Sequence, residues 1–221
     1  MNKLNRYGDH LIENDGKGAD IASQRIDTLD SMCIEYVKSL VIDNNSILIA
    51  DAGTGRCAQA NRISNINKTI KVHAIDNINF SDHADENVIF VHDDIIKHFT
   101  SSSSAQYDAI YCQRTIHYLD YQSALILLSQ MHRSSKPGAK LFISASGNGS
   151  ELSENYPGKS LEISSRYDFL SEKMQNKHGI RERVCLYDLD DLISSIEKSG
   201  WKCMSADVSE FGNIKLIANE R

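Results

Sequence analysis

The sequence predicts an α/β fold: a seven-stranded, mostly parallel sheet with helices on both faces and an antiparallel hairpin strand at its C-terminal end. Three observations lead there. Short β-rich runs recur at "SILIAD" (46–51), "TIKVHAID" (69–76), "NVIFVH" (87–92), "YDAIYC" (107–112) and "AKLFISA" (139–145). The stretches between them are long enough for crossover helices, and that alternation means parallel strands covered on both sides. Near the C-terminus, "WKCMSADV" and "NIKLIANE" are joined only by "SEFG", so this last pair must fold back as an antiparallel hairpin.

The elements can be justified in order. The first eighteen residues, "MNKLNRYGDHLIENDGKG", are polar and are expected to be loose. From Ala19 to Val41, the positions Ala22, Ile26, Leu29, Cys33, Val37 and Leu40 recur at three- and four-residue steps, the stripe of an amphipathic helix. Residues 1–44 thus read as a polar segment with a cap helix, ahead of a domain spanning 45–221. "TSSSSAQ" (100–106) reads as a solvent loop, and "YQSALILLSQMHRS" is the clearest crossover helix, ending before the "KPG" turn that launches the fifth strand. Residues 147–184 are polar and interrupt the alternation, with a helix expected near 161–176. They read as an insertion at the carboxyl edge of the sheet, a lid for acceptor recognition. "DLDDLISSIEKSG" then resumes the helical pattern before the final hairpin.

Bulk properties exclude several classes. A chain of 221 residues suits one domain with a modest insertion, burying roughly 70 to 75% of its unfolded surface. Five scattered cysteines without a C-x-x-C pair suggest neither a disulfide framework nor a zinc site, and no metal is expected. No apolar stretch approaches the ~20 residues that span a bilayer, and the N-terminus has no apolar signal region. A cytoplasmic protein without membrane contact is the expectation. Net charge is −6 and the pI about 5.7, with Lys and Arg scattered, so a nucleic-acid partner is not expected.

Ligands of open parallel sheets bind outside the carboxyl ends of the strands, where strand order reverses. The residues there are Asp51 with Gly53 and Gly55 after the first strand, Asp76 after the second, and Asp93 with Asp94 after the third. "GTGRCA" also satisfies the G-x-G-x-x-A form of a dinucleotide site, with Asp76 about twenty residues on to bind a ribose. Against an NAD(P)-dependent oxidoreductase stand the acid directly ahead of the glycines, which would repel a pyrophosphate, the acid pair after the third strand, and the lack of a second domain.

Taken as an ordered set, "DAGTG", "HAID", "VHDDI", "YDAIYC", "KPGAKLFIS" and the closing hairpin resemble the class I S-adenosylmethionine-dependent methyltransferases over about residues 45–221. The resemblance implies a Rossmann-like sheet of strand order 3-2-1-4-5-7-6 and S-adenosylmethionine as cofactor. It also implies roles. Asp51 and the backbone of Ala52, Gly53, Thr54 and Gly55 would hold the methionine and ribose part. Asp76 would accept from both ribose hydroxyls, and Asp94 from the adenine amino group while the Ile95 N–H meets the ring. Asp93 replaces Asp94 if the register is off by one, and either acid could instead cap the helix "IIKHF". Asn77 and Gln113 complete the cofactor-binding set. The family's first motif is D-x-G-x-G-x-G; Cys57 stands where its third glycine would, which is expected to narrow the pocket slightly.

On the acceptor side, His117 in "CQRTIHYL" is a candidate base, its bland alternative being a packed, hydrogen-bonded histidine. Arg114 reads as a structural ion-pair partner, and Tyr7, Arg25, Tyr156 and Tyr167 are candidates to close over the site. The family's N/D-P-P-Y/F segment for exocyclic base amines is missing, "CQRTI" standing there. A small-molecule acceptor is therefore expected first, with a protein side chain or RNA behind it. A catalytically silent S-adenosylmethionine-binding module is the rival from another class.

Overall fold

The structure, a computed structural model, describes residues 3–7, 10–14, 26–43, 46–101 and 106–220, the first two segments by their backbone. Seven strands form one sheet: β1 (Ile47–Ala52), β2 (Ile70–Asp76), β3 (Val88–His92), β4 (Tyr107–Gln113), β5 (Ser135–Ser146), β6 (Lys202–Val208) and β7 (Asn213–Asn219), in the order β3-β2-β1-β4-β5-β7-β6. The first five are mutually parallel, and β7 runs antiparallel to both β5 and β6. This is the Rossmann-like order expected.

The six α-helices among the described residues are α1 (Thr28–Asp43), α2 (Ala58–Ser64), α3 (Ile95–Ser101), α4 (Tyr121–Arg133), α5 (Glu172–His178) and α6 (Leu189–Lys198). Successive side chains of a strand point to opposite faces, so a two-sided sheet needs apolar residues at both parities. Strand β1 supplies them: Ile47 and Ile49 join a core with Leu29, Cys33 and Val37 of α1 and Ala60 and Ile63 of α2. Ala50 and Ala52 face the other way, in a core with Phe99 of α3, Leu127 and Leu128 of α4 and Ile196 of α6. Helix α1 thus packs as a layer of the main core.

Several expectations are corrected. Lys3–Tyr7 and His10–Asn14 pair as an antiparallel ribbon where loose chain was expected. The N-terminal part of the helix expected from Ala19, residues 19–25, lies outside the described residues. The described helix starts at Thr28, because Asp27 caps it: its Oδ1 accepts from the amides of Leu29 (2.8 Å) and Asp30 (3.2 Å), while Asp30 Oδ2 accepts from the Asp27 amide (2.6 Å). That reciprocal pairing is a capping box built from two aspartates. No α-helix joins β2 to β3; a single 3-10 turn, Ser81–His83, does.

The insertion differs most from expectation. The helix expected near 161–176 is present only as the shorter, later α5, and the insertion also holds three 3-10 turns and a two-residue strand pair (Asp168–Phe169 with Arg183–Val184). It has a small core of its own, Leu152, Tyr156, Leu170, Met174, Ile180 and Val184, which reaches Leu186 and packs on Tyr118. Among the described residues, no helix is long and apolar enough to cross a membrane.

Candidate functional site

The carboxyl ends of β1, β2 and β4 open on a cavity of about 320 Å³. Its floor is the loop "DAGTG". Gly53 and Gly55 have φ of +73° and +54°, and the amides of Gly53 and Thr54 both donate to the Ile75 carbonyl, at 2.8 and 3.1 Å. A Cβ on Gly53 would stand 2.1 Å from Thr115 Oγ1, so this glycine is needed for packing against the turn after β4 as well as for its backbone angle.

Four aspartates reach this cavity, from two strand ends and two helix starts. Asp51, at the end of β1, is buried, and its Oδ2 accepts from Thr54 Oγ1 at 2.7 Å. Burial pushes its carboxyl up to about 7, with Asp30 and Asp76 adding repulsion and the Thr54 hydrogen bond opposing. Asp76 ends β2 and is held from both sides, Oδ2 accepting from the Gly55 amide and Oδ1 from the Ile78 amide, each at 2.9 Å. Asp94 both lines the cavity and caps α3, its Oδ1 accepting from the Lys97 amide at 2.9 Å. Capping and ligand contact are compatible roles for it, since a carboxylate has acceptor sites to spare.

The fourth, Asp30 of α1, was missed by sequence reasoning. Tyr111, the direct cross-strand neighbour of Asp51, donates its phenol O–H to Asp30 Oδ1. The signal available was the "DTLD" capping pattern, which announces a helix start but not that the start abuts a site.

Of the remaining expected residues, Gly53, Thr54, Gly55, Asn77, Ile95 and Gln113 line the cavity. Gln113 also donates to Asp27 Oδ2 at 2.9 Å, tying the end of β4 to α1. Ala52 and Asp93 are not among the lining residues. Ala52 faces the opposite core, and Asp93 is spent on the Asp94 amide and on Lys97. Arg114 lines the cavity with φ of +51°, a strained angle for a side chain with a Cβ, and its amide donates to the Ser144 carbonyl and hydroxyl.

The base expected at His117 is not supported. Its imidazole lies behind the wall, buried, with Nε2 3.3 Å from Ser146 Oγ and the ring 4.4 Å from that of Tyr118. Burial, then Arg114, pushes it down to about 3, so it stays neutral and out of reach of the cavity. Tyr156 is structural too, donating to the Arg166 and Val184 carbonyls. Tyr167 does reach the cavity, donating to the Tyr118 carbonyl at 3.2 Å, and Glu182 joins it from the insertion. The Tyr7 side chain and Arg25 lie outside the described residues.

Cys57 does not narrow the cavity. Its side chain is buried with the sulfur near the Gly55 and Phe80 carbonyls (3.9 and 4.0 Å), and burial first, then Asp51, pushes the thiol up to about 12, out of the reactive range. Its φ is +58°, the left-handed angle that explains a glycine at this position. Cys57→Gly is expected to melt within a few degrees of the parent, the relieved backbone (about 1 kcal/mol) offsetting the loss of the buried thiol. Cys57→Val should melt clearly lower, because a β-branched residue resists that angle. Equal melting of the two variants would show that the angle carries no strain.

No family model matches the chain, and no curated protein matches it in sequence. Solved structures do match its fold. A S-adenosylmethionine-dependent methyltransferase from Methanosarcina mazei is 14% identical, covering 80% of this chain and 93% of its own, with a TM-score of 0.61. Human N-acetylserotonin methyltransferase, in complex with S-adenosylmethionine, is 12% identical over 86% of this chain, TM-score 0.54. The (4+2)-cyclase SpnF is 13% identical, covering 86% of this chain and 80% of its own, TM-score 0.57. Several of the matched chains are longer, and this chain spans 55 or 56% of them. The fold is that of the class I S-adenosylmethionine-dependent methyltransferases.

Proposed function

We propose that this protein binds S-adenosylmethionine in the cavity and transfers its methyl group to a small-molecule acceptor. The observation that carries the proposal is Asp76. It ends the second strand beside the glycine loop, and two backbone amides aim its carboxylate at the cavity without exhausting its acceptor sites. The two hydroxyls of a ribose suit such a group, since both can make charge-assisted hydrogen bonds to one carboxylate. The electrostatics agree: Asp30, Asp51, Asp76, Asp94 and Glu182 line the cavity with Arg114. An acidic lining fits a cationic ligand and repels a pyrophosphate, which argues against a nicotinamide dinucleotide.

When bound, the cofactor supplies an electrophilic methyl on a cationic sulfur. The chain's own contribution is alignment and exclusion of water. Asp76 and Asp94 would fix the nucleoside, while Tyr118, Leu119 and Tyr167 wall the acceptor side. Insertion residues Tyr167 and Glu182 give 147–184 its proposed part in acceptor recognition. That segment's core also packs on Tyr118 and Leu186, so wholesale removal would perturb the domain; a point substitution is the cleaner probe.

The test is a metabolite panel read out by S-adenosylhomocysteine formation, with melting measured alongside. S-adenosylhomocysteine should raise the melting temperature, as a ligand bound only to the native state does, while NAD(P)H should not. Tyr167→Ala should lower turnover of an identified acceptor at least tenfold and leave S-adenosylhomocysteine affinity within about threefold. One structural match is named a cyclase rather than a methyltransferase, so the fold alone does not fix methyl transfer, and a module that binds the cofactor without transferring its methyl is the second reading. Binding without turnover on any acceptor would select it, and stabilisation by NAD(P)H alone would overturn both.

A further inference from the structure

We propose that Asp30, carried to the cavity by the first helix, is a specificity-determining residue that receives an ammonium group of the bound ligand. The proposal rests on the reading of the cavity as a S-adenosylmethionine site and adds a residue of the first helix to the amino-acid end of the ligand, beside Asp51 and the glycine loop.

Asp30 is 1% exposed yet lines the cavity, and three elements hold it there. Its own helix start engages Oδ2 through the Asp27 amide, Tyr111 of β4 donates to Oδ1, and Gln59 Nε2 of α2 donates to its carbonyl at 3.1 Å. Asp51, the strand neighbour of Tyr111, stands close enough that Asp30 adds to the cost of ionising it. Arg62 donates to Gln59 and is the last of the influences on the Asp30 carboxyl, and Arg114 lines the same cavity. Lys215 pairs instead with Asp27, at 3.3 Å.

Two buried carboxylates in one cavity are costly unless something cationic completes them. Of the groups on the proposed cofactor, the nucleoside is accounted for by Asp76 and Asp94. The amino-acid end carries an ammonium with three donors. A donor of that kind can satisfy the remaining acceptor positions of Asp30 and Asp51 together, and no neutral ligand group could offset their charge.

The probes are S-adenosylhomocysteine and its deaminated analogue, which keeps the nucleoside and carboxylate but lacks the ammonium; both are measured by calorimetry at pH 8. The native protein should prefer S-adenosylhomocysteine at least tenfold, as loss of a charge-assisted hydrogen bond implies. Asp30→Asn, which keeps the size of the side chain and an acceptor for the Asp27 amide, should erase most of that preference while binding the deaminated analogue as well as the native protein or better. Equal loss of both ligands would make Asp30 a purely structural residue and overturn the proposal, as would a native preference near unity. If the Asn variant fails to fold, Asp30→Glu moves the charge by one methylene and should reduce the preference severalfold; an undiminished preference overturns the proposal. A native protein that binds neither probe would instead refute the cofactor reading itself, which is a separate result.

Discussion

Asp76→Ala should weaken S-adenosylhomocysteine binding by at least tenfold and, where neither ribose hydroxyl finds another acceptor, by a hundredfold or more. The native carboxylate does two jobs. It accepts from the Gly55 and Ile78 amides at 2.9 Å each, fixing the glycine loop and the turn that follows β2. It also offers its remaining acceptor sites to the ribose. Removing it leaves two amides and two hydroxyls without their acceptor, and each unsatisfied group costs roughly 1–3 kcal/mol. Asp76→Asn keeps one acceptor oxygen and should fall between. Calorimetry on both variants checks the order native, Asn, Ala; an unchanged affinity in the Ala variant would remove Asp76 from the ligand site and with it the main support for the proposed function.

The second large effect is a trade of stability for binding at Asp51. Its carboxyl titrates near 7 in the folded protein against 3.8 as the ordinary value, with burial the leading cause. A folded-state value raised above the unfolded one means the stability contribution is fully present below about pH 4, declines as pH rises, and is lost once pH passes 7. The neutral amide of Asp51→Asn removes that penalty. Without ligand, this variant should therefore melt above the native protein at pH 8 and close to it at pH 5.

Ligand binding should show the opposite dependence. A cationic ligand pairs with the ionised acid, so native affinity for S-adenosylhomocysteine should hold above pH 7 and weaken by up to about tenfold per unit below it. In Asp51→Asn the affinity should be low and flat between pH 6 and 8. A variant that retained the native pH slope would assign the titration to another group, Asp30 being the nearest whose carboxyl is also raised by burial.

Much of the fold was legible because it depends on local signals that repeat. The runs at 46–51, 69–76 and 107–112 match β1, β2 and β4 within a residue or two, and "SEFG" is too short for anything but a hairpin. One edge of the cavity was legible for the same reason: in a parallel sheet the last residue of a strand is at the carboxyl edge, so Asp51 and Asp76 could be placed there by counting. Cys57 is a partial success. Its position is recognisable as a glycine's, but its left-handed backbone and inward-packed sulfur emerge only when the loop is folded.

What the sequence by itself determined is the alternation of strand and helix, the acids and glycines at the strand ends, and a net charge of −6. These follow from side-chain periodicity and backbone preference, which act over a few residues. Tertiary structure alone decided which distant groups meet. Asp30 reaches Tyr111 across 81 positions of chain, and no local rule predicts that a helix-capping acid will face a strand-end phenol. It also decided that His117, two residues past Thr115 of the cavity wall, turns into the core and is neutral there, while Tyr167 and Glu182 return from the insertion to complete the wall. A side chain's direction in a turn is set by the packing around it, and that packing exists only after the sheet has brought its layers together.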